Sequence, residues 1–147
     1  MAAPPGTCAL CRDDAGAPIW ADARLRVVDA GDEAFPAFYR VIWNAHVAEL
    51  SDLAPDDRAH CLDIVVAVER VLRERLRPTK INLASLGNMV PHLHWHVIAR
   101  FEWDSHFPQP VWSAAQREVE PPPRQRLARV LAGLDEAVRD ALVQRSA

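Results

Sequence analysis

Three histidines alternate with apolar residues in the run His92-Leu93-His94-Trp95-His96-Val97-Ile98, which holds half of the chain's six histidines. Imidazole is the side chain best suited to accept a proton, attack phosphorus or bind a metal near neutral pH. Successive side chains on a strand point to opposite faces. His92, His94 and His96 would then share one face, with neighbours about 6.6 Å apart, while Leu93, Trp95, Val97 and Phe101 pack the other face into a core. On a helix, positions two apart diverge and the rings cannot converge. The spacing therefore predicts a strand that presents imidazoles to a common ligand. Metal chelation by His-x-His is a rival use of the same pattern. Hydrolytic metal sites also recruit carboxylates, and the stretch from Ile81 to Arg100 contains none.

A second group is Cys8-Ala9-Leu10-Cys11. A redox C-x-x-C of the thioredoxin kind follows a strand and opens a helix. This one follows the loop-like Pro4-Pro5-Gly6, which favours metal binding. An odd number of cysteines, three, argues against a disulfide framework. Cys61 falls on an apolar helical face and reads as core, whereas His60 and His106 read as surface residues.

The elements that must position these groups can be read from periodicity. Pro18–Trp20, Leu25–Val28 and Tyr39–Trp43 read as strands, the last rich in aromatic and β-branched residues. From Pro55 to about Leu76 the pattern is helical: Pro55 suits the first helical position, and Asp56 and Asp57 complement the N-terminal dipole. Cys61, Leu62, Val65, Val66, Val68, Leu72 and Leu76 form its apolar stripe, and Pro78 stops it. Ile81–Ala84 reads as a fourth strand, and Gly87-Asn88 as the turn into the histidine strand. A C-terminal helix is expected after Pro121-Pro122-Pro123, with Leu127, Val130, Leu131, Leu134, Val138 and Leu142 facing the core. This order predicts an α+β fold: an antiparallel sheet of about five strands, with a long helix after the third strand and a C-terminal helix.

A length of 147 residues, 50% of them hydrophobic and 25% charged, fits one domain with a real core. The net charge of −3 argues against a broad nucleic-acid-binding surface, so any phosphate site must be local. No apolar run approaches membrane-spanning length and no secretory pattern is seen, so a cytoplasmic protein without a membrane partner is expected.

His-x-His-x-His followed by two apolar residues resembles the motif of the histidine triad (HIT) superfamily of nucleotide hydrolases and transferases. Trp43-Asn44-Ala45-His46 before the long helix, and Asn82 followed by Gly87-Asn88 before the triad, extend the resemblance from about Cys8 to Trp112. It implies a single HIT domain over 1–147, with a core of about 8–112 and a C-terminal helical extension of about 121–146. It also implies a nucleotide substrate, attacked at its α-phosphate by the middle histidine, here His94, through a covalent nucleotidyl-histidine. His96 would stabilise charge or help protonate the leaving group. Asn82, Gly87, Asn88 and Met89 would bind the phosphates, the glycine turn allowing close backbone approach.

Some superfamily members, and the related galactose-1-phosphate uridylyltransferases, hold zinc on a C-x-x-C, an upstream histidine and the first triad histidine. Here those positions are Cys8, Cys11, His46 and His92, a Cys₂His₂ set suited to structural zinc. No organic cofactor is implied, and a homodimer is. Dinucleoside polyphosphates are one substrate class that fits. Met89 stands where many members carry a hydroxyl residue that contacts the leaving group, which argues against the phosphoramidate-hydrolysing branch. The competing class is a zinc-stabilised nucleotide-binding protein with little turnover.

Overall fold

The computed structural model describes residues 5–146. Five strands form one antiparallel sheet: β1 (Ala17–Ala21), β2 (Leu25–Asp29), β3 (Phe38–Trp43), β4 (Lys80–Ala84) and β5 (His94–Arg100), in the order β1-β2-β3-β5-β4. The predicted α+β architecture is thus the observed one. The β1–β2 turn closes where Asp22 Oδ1 accepts bonds from the backbone N–H groups of Arg24 and Leu25, at 2.7 and 2.9 Å. After β3, the chain crosses one face of the sheet as a long helix and returns at the edge as β4. β5 then inserts between β4 and β3.

A one-turn helix, α1 (Ala9–Arg12), precedes the sheet, and the crossing helix is α2 (Pro55–Leu76). The latter begins with Pro55 and ends in a left-handed cap at Arg77, φ 47°, just before Pro78. It buries Cys61, Ile64, Val65, Val68, Val71, Leu72 and Leu76. Leu62, expected on that stripe, faces solvent instead, because the buried face is centred on Ile64 and Val68.

Strand alternation sorts the sheet into two faces. Leu25, Val27, Tyr39, Val41, Trp43, Val97 and Ala99 join α2 in the main core. Phe38, Arg40, Ile42, His94, His96, Ile98 and Arg100 point to the opposite face, where β3 and β5 pair Arg40 with His96 and Ile42 with His94. Smaller apolar clusters cover both ends of this second face. Cys8 and Leu10 pack with Val28 and Ile42 at one end, and Phe35 packs with Phe38 and Ile98 at the other.

The expected C-terminal helix is broken into α3 (Pro123–Arg126), α4 (Ala128–Leu131) and α5 (Leu134–Ser146). Gly133, at φ 77°, makes the second break in a conformation that only glycine adopts without strain. α5 packs against α2 and β1 and buries Leu134, Val138 and Leu142. The breaks rotate Val130 out of the expected stripe, and it is exposed.

Candidate active site and metal cluster

β5 begins at His94, two residues later than the alternation predicts. Pro91 supplies no N–H, and the His92 N–H donates to the Val90 carbonyl at 2.8 Å, which turns the chain just before the strand. His94 and His96 therefore share the open face, with ring centroids 4.9 Å apart at 85°. His92 is fully buried and points elsewhere.

His94 Nδ1 lies 2.6 Å from the His92 carbonyl oxygen. A carbonyl only accepts, so Nδ1 carries the proton and Nε2 keeps its lone pair. Burial lowers the His94 pKa, the His92 carbonyl pulls it back up, and the Arg40 guanidinium lowers it again. The ring is thus neutral at physiological pH. His96 is held down to about 4 by burial, then by His94 and Arg40. Its Nδ1 is buried without a hydrogen-bond partner among the described residues, so Nε2 is the nitrogen available to a ligand. Two neutral imidazoles, one with a lone pair and one with a free edge, are suited to nucleophilic attack and to hydrogen bonding of an oxyanion.

Both rings line a cleft of about 460 Å³ with Leu86, Gly87, Asn88, Met89, Val90 and Trp112. The β4–β5 connection forms one wall. Gly87 sits at φ 78°, and the Ser85 hydroxyl ties the connection to the His94 carbonyl at 2.8 Å.

Behind the cleft lies a second cluster. The α1 turn brings Cys8 and Cys11 together, with the Cys11 N–H on the Cys8 carbonyl at 3.1 Å. Arg26 Nη2 holds this turn by the carbonyls of Leu10 and Asp13, at 2.6 and 3.1 Å. His46 follows β3, and β3 and the entry to β5 are laced together by Trp43 N–H to Leu93 O and Leu93 N–H to Val47 O. His92 Nδ1 is 3.4 Å from each sulfur and 3.3 Å from His46 Nδ1, which is 3.3 Å from Cys11 Sγ. One donor atom from each of Cys8, Cys11, His46 and His92 lies within 4.8 Å of every other.

These distances suit a tetrahedral ion, since Zn–N of about 2.0 Å and Zn–S of about 2.3 Å put ligand atoms roughly 3.3 to 3.8 Å apart. His92 Nε2 donates to the Trp43 carbonyl at 2.5 Å, which leaves Nδ1 unprotonated and aimed into the cluster. The Cys11 thiol is held above its ordinary pKa, by burial first and by Cys8 second, so a cation is what would make it a thiolate.

The HIT domain model matches residues 20–103, more than half of the chain. The chain belongs to the HIT family. It falls in a superfamily of nucleotide-binding hydrolases and transferases.

Among solved HIT structures, a histidine triad protein from Sinorhizobium meliloti is 31% identical over 83% of this chain and 89% of its own, with a TM-score of 0.66. One from Bradyrhizobium japonicum is 27% identical over 82% and 89%, with a TM-score of 0.67. A zinc-bound histidine triad family protein from Mycobacterium smegmatis shares the fold at 19% identity, over 97% and 98%, with a TM-score of 0.60. Among curated proteins, no sequence matches.

Within this HIT domain, the residues singled out from sequence separate into two places. His94, His96, Gly87, Asn88 and Met89 line the cleft, and Cys8, Cys11, His46 and His92 form the cluster. Asn82 belongs to neither. It pairs with Ile98, two residue pairs beyond Ala84–His96, and its Oδ1 accepts from Arg100 Nη1 at 2.8 Å. Two further residues stand near the histidines, and of these the sequence reading missed only Arg40. Arg40 is paired with His96 across the β3–β5 ladder, its Nη1 held by the Ala15 carbonyl at 2.6 Å. Trp112 packs against His96 with ring centroids 5.1 Å apart and planes at 62°. Alternation along β3 could have put Arg40 on the histidine face once the strand register was known. Trp112, like Trp103 and Phe107, reads from the sequence either as lining a substrate or dimer surface or as core packing; the structure puts it in the cleft lining.

Proposed function

We propose that this HIT protein is a nucleotide phosphohydrolase or nucleotidyl transferase that works through a covalent nucleotidyl-histidine at His94. The observation that carries the proposal is the 2.6 Å contact between His94 Nδ1 and the His92 carbonyl, which directs the free lone pair to Nε2. In the first step Nε2 attacks the α-phosphorus. A P–N bond forms, the P–O bond to the leaving group breaks, and the leaving oxygen takes up a proton from solvent. In the second, water or another hydroxyl compound attacks the same phosphorus and gives up its proton to solvent, and the P–N bond breaks to release neutral His94. The Nε2 edge of His96 and the backbone N–H groups from Gly87 to Met89 would hold the non-bridging oxygens. Substrates of the dinucleoside polyphosphate kind and a homodimeric assembly belong to the same reading.

The Cys8, Cys11, His46 and His92 cluster would hold a structural zinc ion. Zinc there supplies no reaction step; it fixes His92, whose carbonyl orients His94. The zinc-bound relative and the donor spacing support this assignment.

A panel of nucleotides carrying different leaving groups, scored for released nucleoside monophosphate, tests the enzyme reading. Turnover is expected on at least one member, with His94→Gln slower by about 10³-fold or more. Nucleotide binding without turnover anywhere in the panel would instead support a zinc-stabilised binding protein.

A further inference from the structure

The stretch between β5 and α3 contains neither helix nor strand, yet it is firmly pinned. Arg100, the last residue of β5, is 1% exposed and lies over the rings of Phe35 and Phe107 at 5.5 and 5.8 Å. Its guanidinium donates twice to the Asp104 carboxylate, at 2.8 and 3.1 Å, and to Gln109 O and Asn82 Oδ1, both at 2.8 Å. Asp104 in turn accepts from the backbone N–H groups of Phe101, His106 and Phe107. Arg117 closes the far side by donating to the carbonyls of Asp104 and Phe107. Val111 packs into the Phe35, Phe38 and Ile98 cluster.

Such a frame is more than a surface loop needs, and its product is the position of the next residue. Trp112 makes an angled ring contact with His96, 62° between the planes, and is 51% exposed. A half-exposed indole beside two imidazoles gives the cleft a flat apolar surface on which another aromatic ring can pack. Two other apolar residues of the cleft are open as well, Leu86 at 50% and Met89 at 93%. The cleft thus joins two chemistries: imidazoles at its base, and an indole with aliphatic side chains around it.

We propose that Trp112 is a binding residue of the His94 site, taking a planar aromatic ring of the substrate, and that the Arg100–Asp104 pair is the positioning device that holds it there. The proposal rests on the reading of the cleft as a nucleotide site. Stacking on an aromatic side chain tolerates any base or aryl group, so Trp112 selects for a ring rather than for its hydrogen-bond pattern. The ring has two possible sources, the base of the transferred nucleotide or an aromatic leaving group, and both share this chemistry.

The full-length protein, its Trp112→Ala variant and its Trp112→Phe variant decide the matter in two arms. In the first, equilibrium binding of AMP is compared with that of ribose 5-phosphate. If the base is the ring, Trp112→Ala weakens AMP about tenfold or more, leaves ribose 5-phosphate unchanged, and Trp112→Phe recovers most of the loss. In the second, turnover of the p-nitrophenyl ester of AMP is compared with that of its methyl ester. If the leaving group is the ring, Trp112→Ala raises KM for the first ester only, with kcat within a few-fold.

Unchanged binding and unchanged KM in both arms overturn the proposal, as does an equal loss for ring-bearing and ring-free ligands. Failure of the enzyme reading looks different. It is absence of turnover in the wild type, and the first arm still reports on the ring.

Discussion

At the scale of single residues, the two strand histidines differ by what each nitrogen can reach. His94 has its Nδ1 proton committed to a carbonyl, whereas His96 has a buried Nδ1 with no partner among the described residues. Residue types and alternation alone could nominate both as chemical groups. The assignment of the lone pair needed the turn at Pro91 and His92, which is set by tertiary bonding and cannot be read from spacing.

The low pKa of His96 also has a thermodynamic consequence. Its folded value of about 4 lies below the ordinary 6.5, so between these values the unfolded chain binds more protons than the folded one. Stability from this group is complete above pH 6.5 and falls as pH drops towards 4, at a slope of up to about 1.4 kcal/mol per pH unit. Urea unfolding of wild type and of His96→Phe between pH 7.5 and 4.5 isolates the effect, because the other titrating groups are common to both. The wild type is expected to lose more stability than the variant over that range. Parallel curves would remove the argument.

At the scale of elements, β3 and β5 act as a pair. Their register puts the Arg40 guanidinium beside His96, and its positive charge disfavours a second one on either histidine of the cleft. Replacing it by Met keeps most of the bulk and removes the charge. Both His94 and His96 should then titrate at higher pH, His96 by a few tenths to one pH unit, followed through their imidazole NMR signals. No movement in Arg40→Met would mean that the guanidinium takes no part in setting these values.

Helix α2 was legible to its ends because Pro55, two aspartates, a long apolar stripe and Pro78 agree with one another. The C-terminal helix was legible only as helical tendency. Gly133 sits where either a capped break or a tolerated glycine would fit, and packing of α5 against β1 decides for the break. In the 101–117 segment the sequence showed the aromatic residues but not their arrangement, since its order comes from a buried ion pair and backbone bonds rather than from any period.

At the scale of the molecule, the Cys–His cluster is where three distant parts of the chain meet: α1, the end of β3 and the entry to β5. Its residue types were readable in the sequence, but their convergence depended on the sheet order. If zinc holds this junction, protein purified without added metal contains close to one zinc per chain by elemental analysis. Cys8→Ser with Cys11→Ser removes it and lowers Tm by several degrees, since metal binding free energy is in part folding free energy. Metal-free wild type with an unchanged Tm in the double variant would leave the cluster as ordinary thiols and imidazoles.

Under the proposed function, His94 Nε2 becomes bonded to phosphorus. Incubation with a nucleotide that turns over, followed by rapid denaturation at alkaline pH and peptide mass spectrometry, looks for that bond. A nucleoside monophosphate adduct is expected on the peptide containing His94, lost on brief acid treatment and absent from His94→Gln. Turnover by wild type with no adduct on His94 under any quench, or an adduct on a different residue, would contradict it.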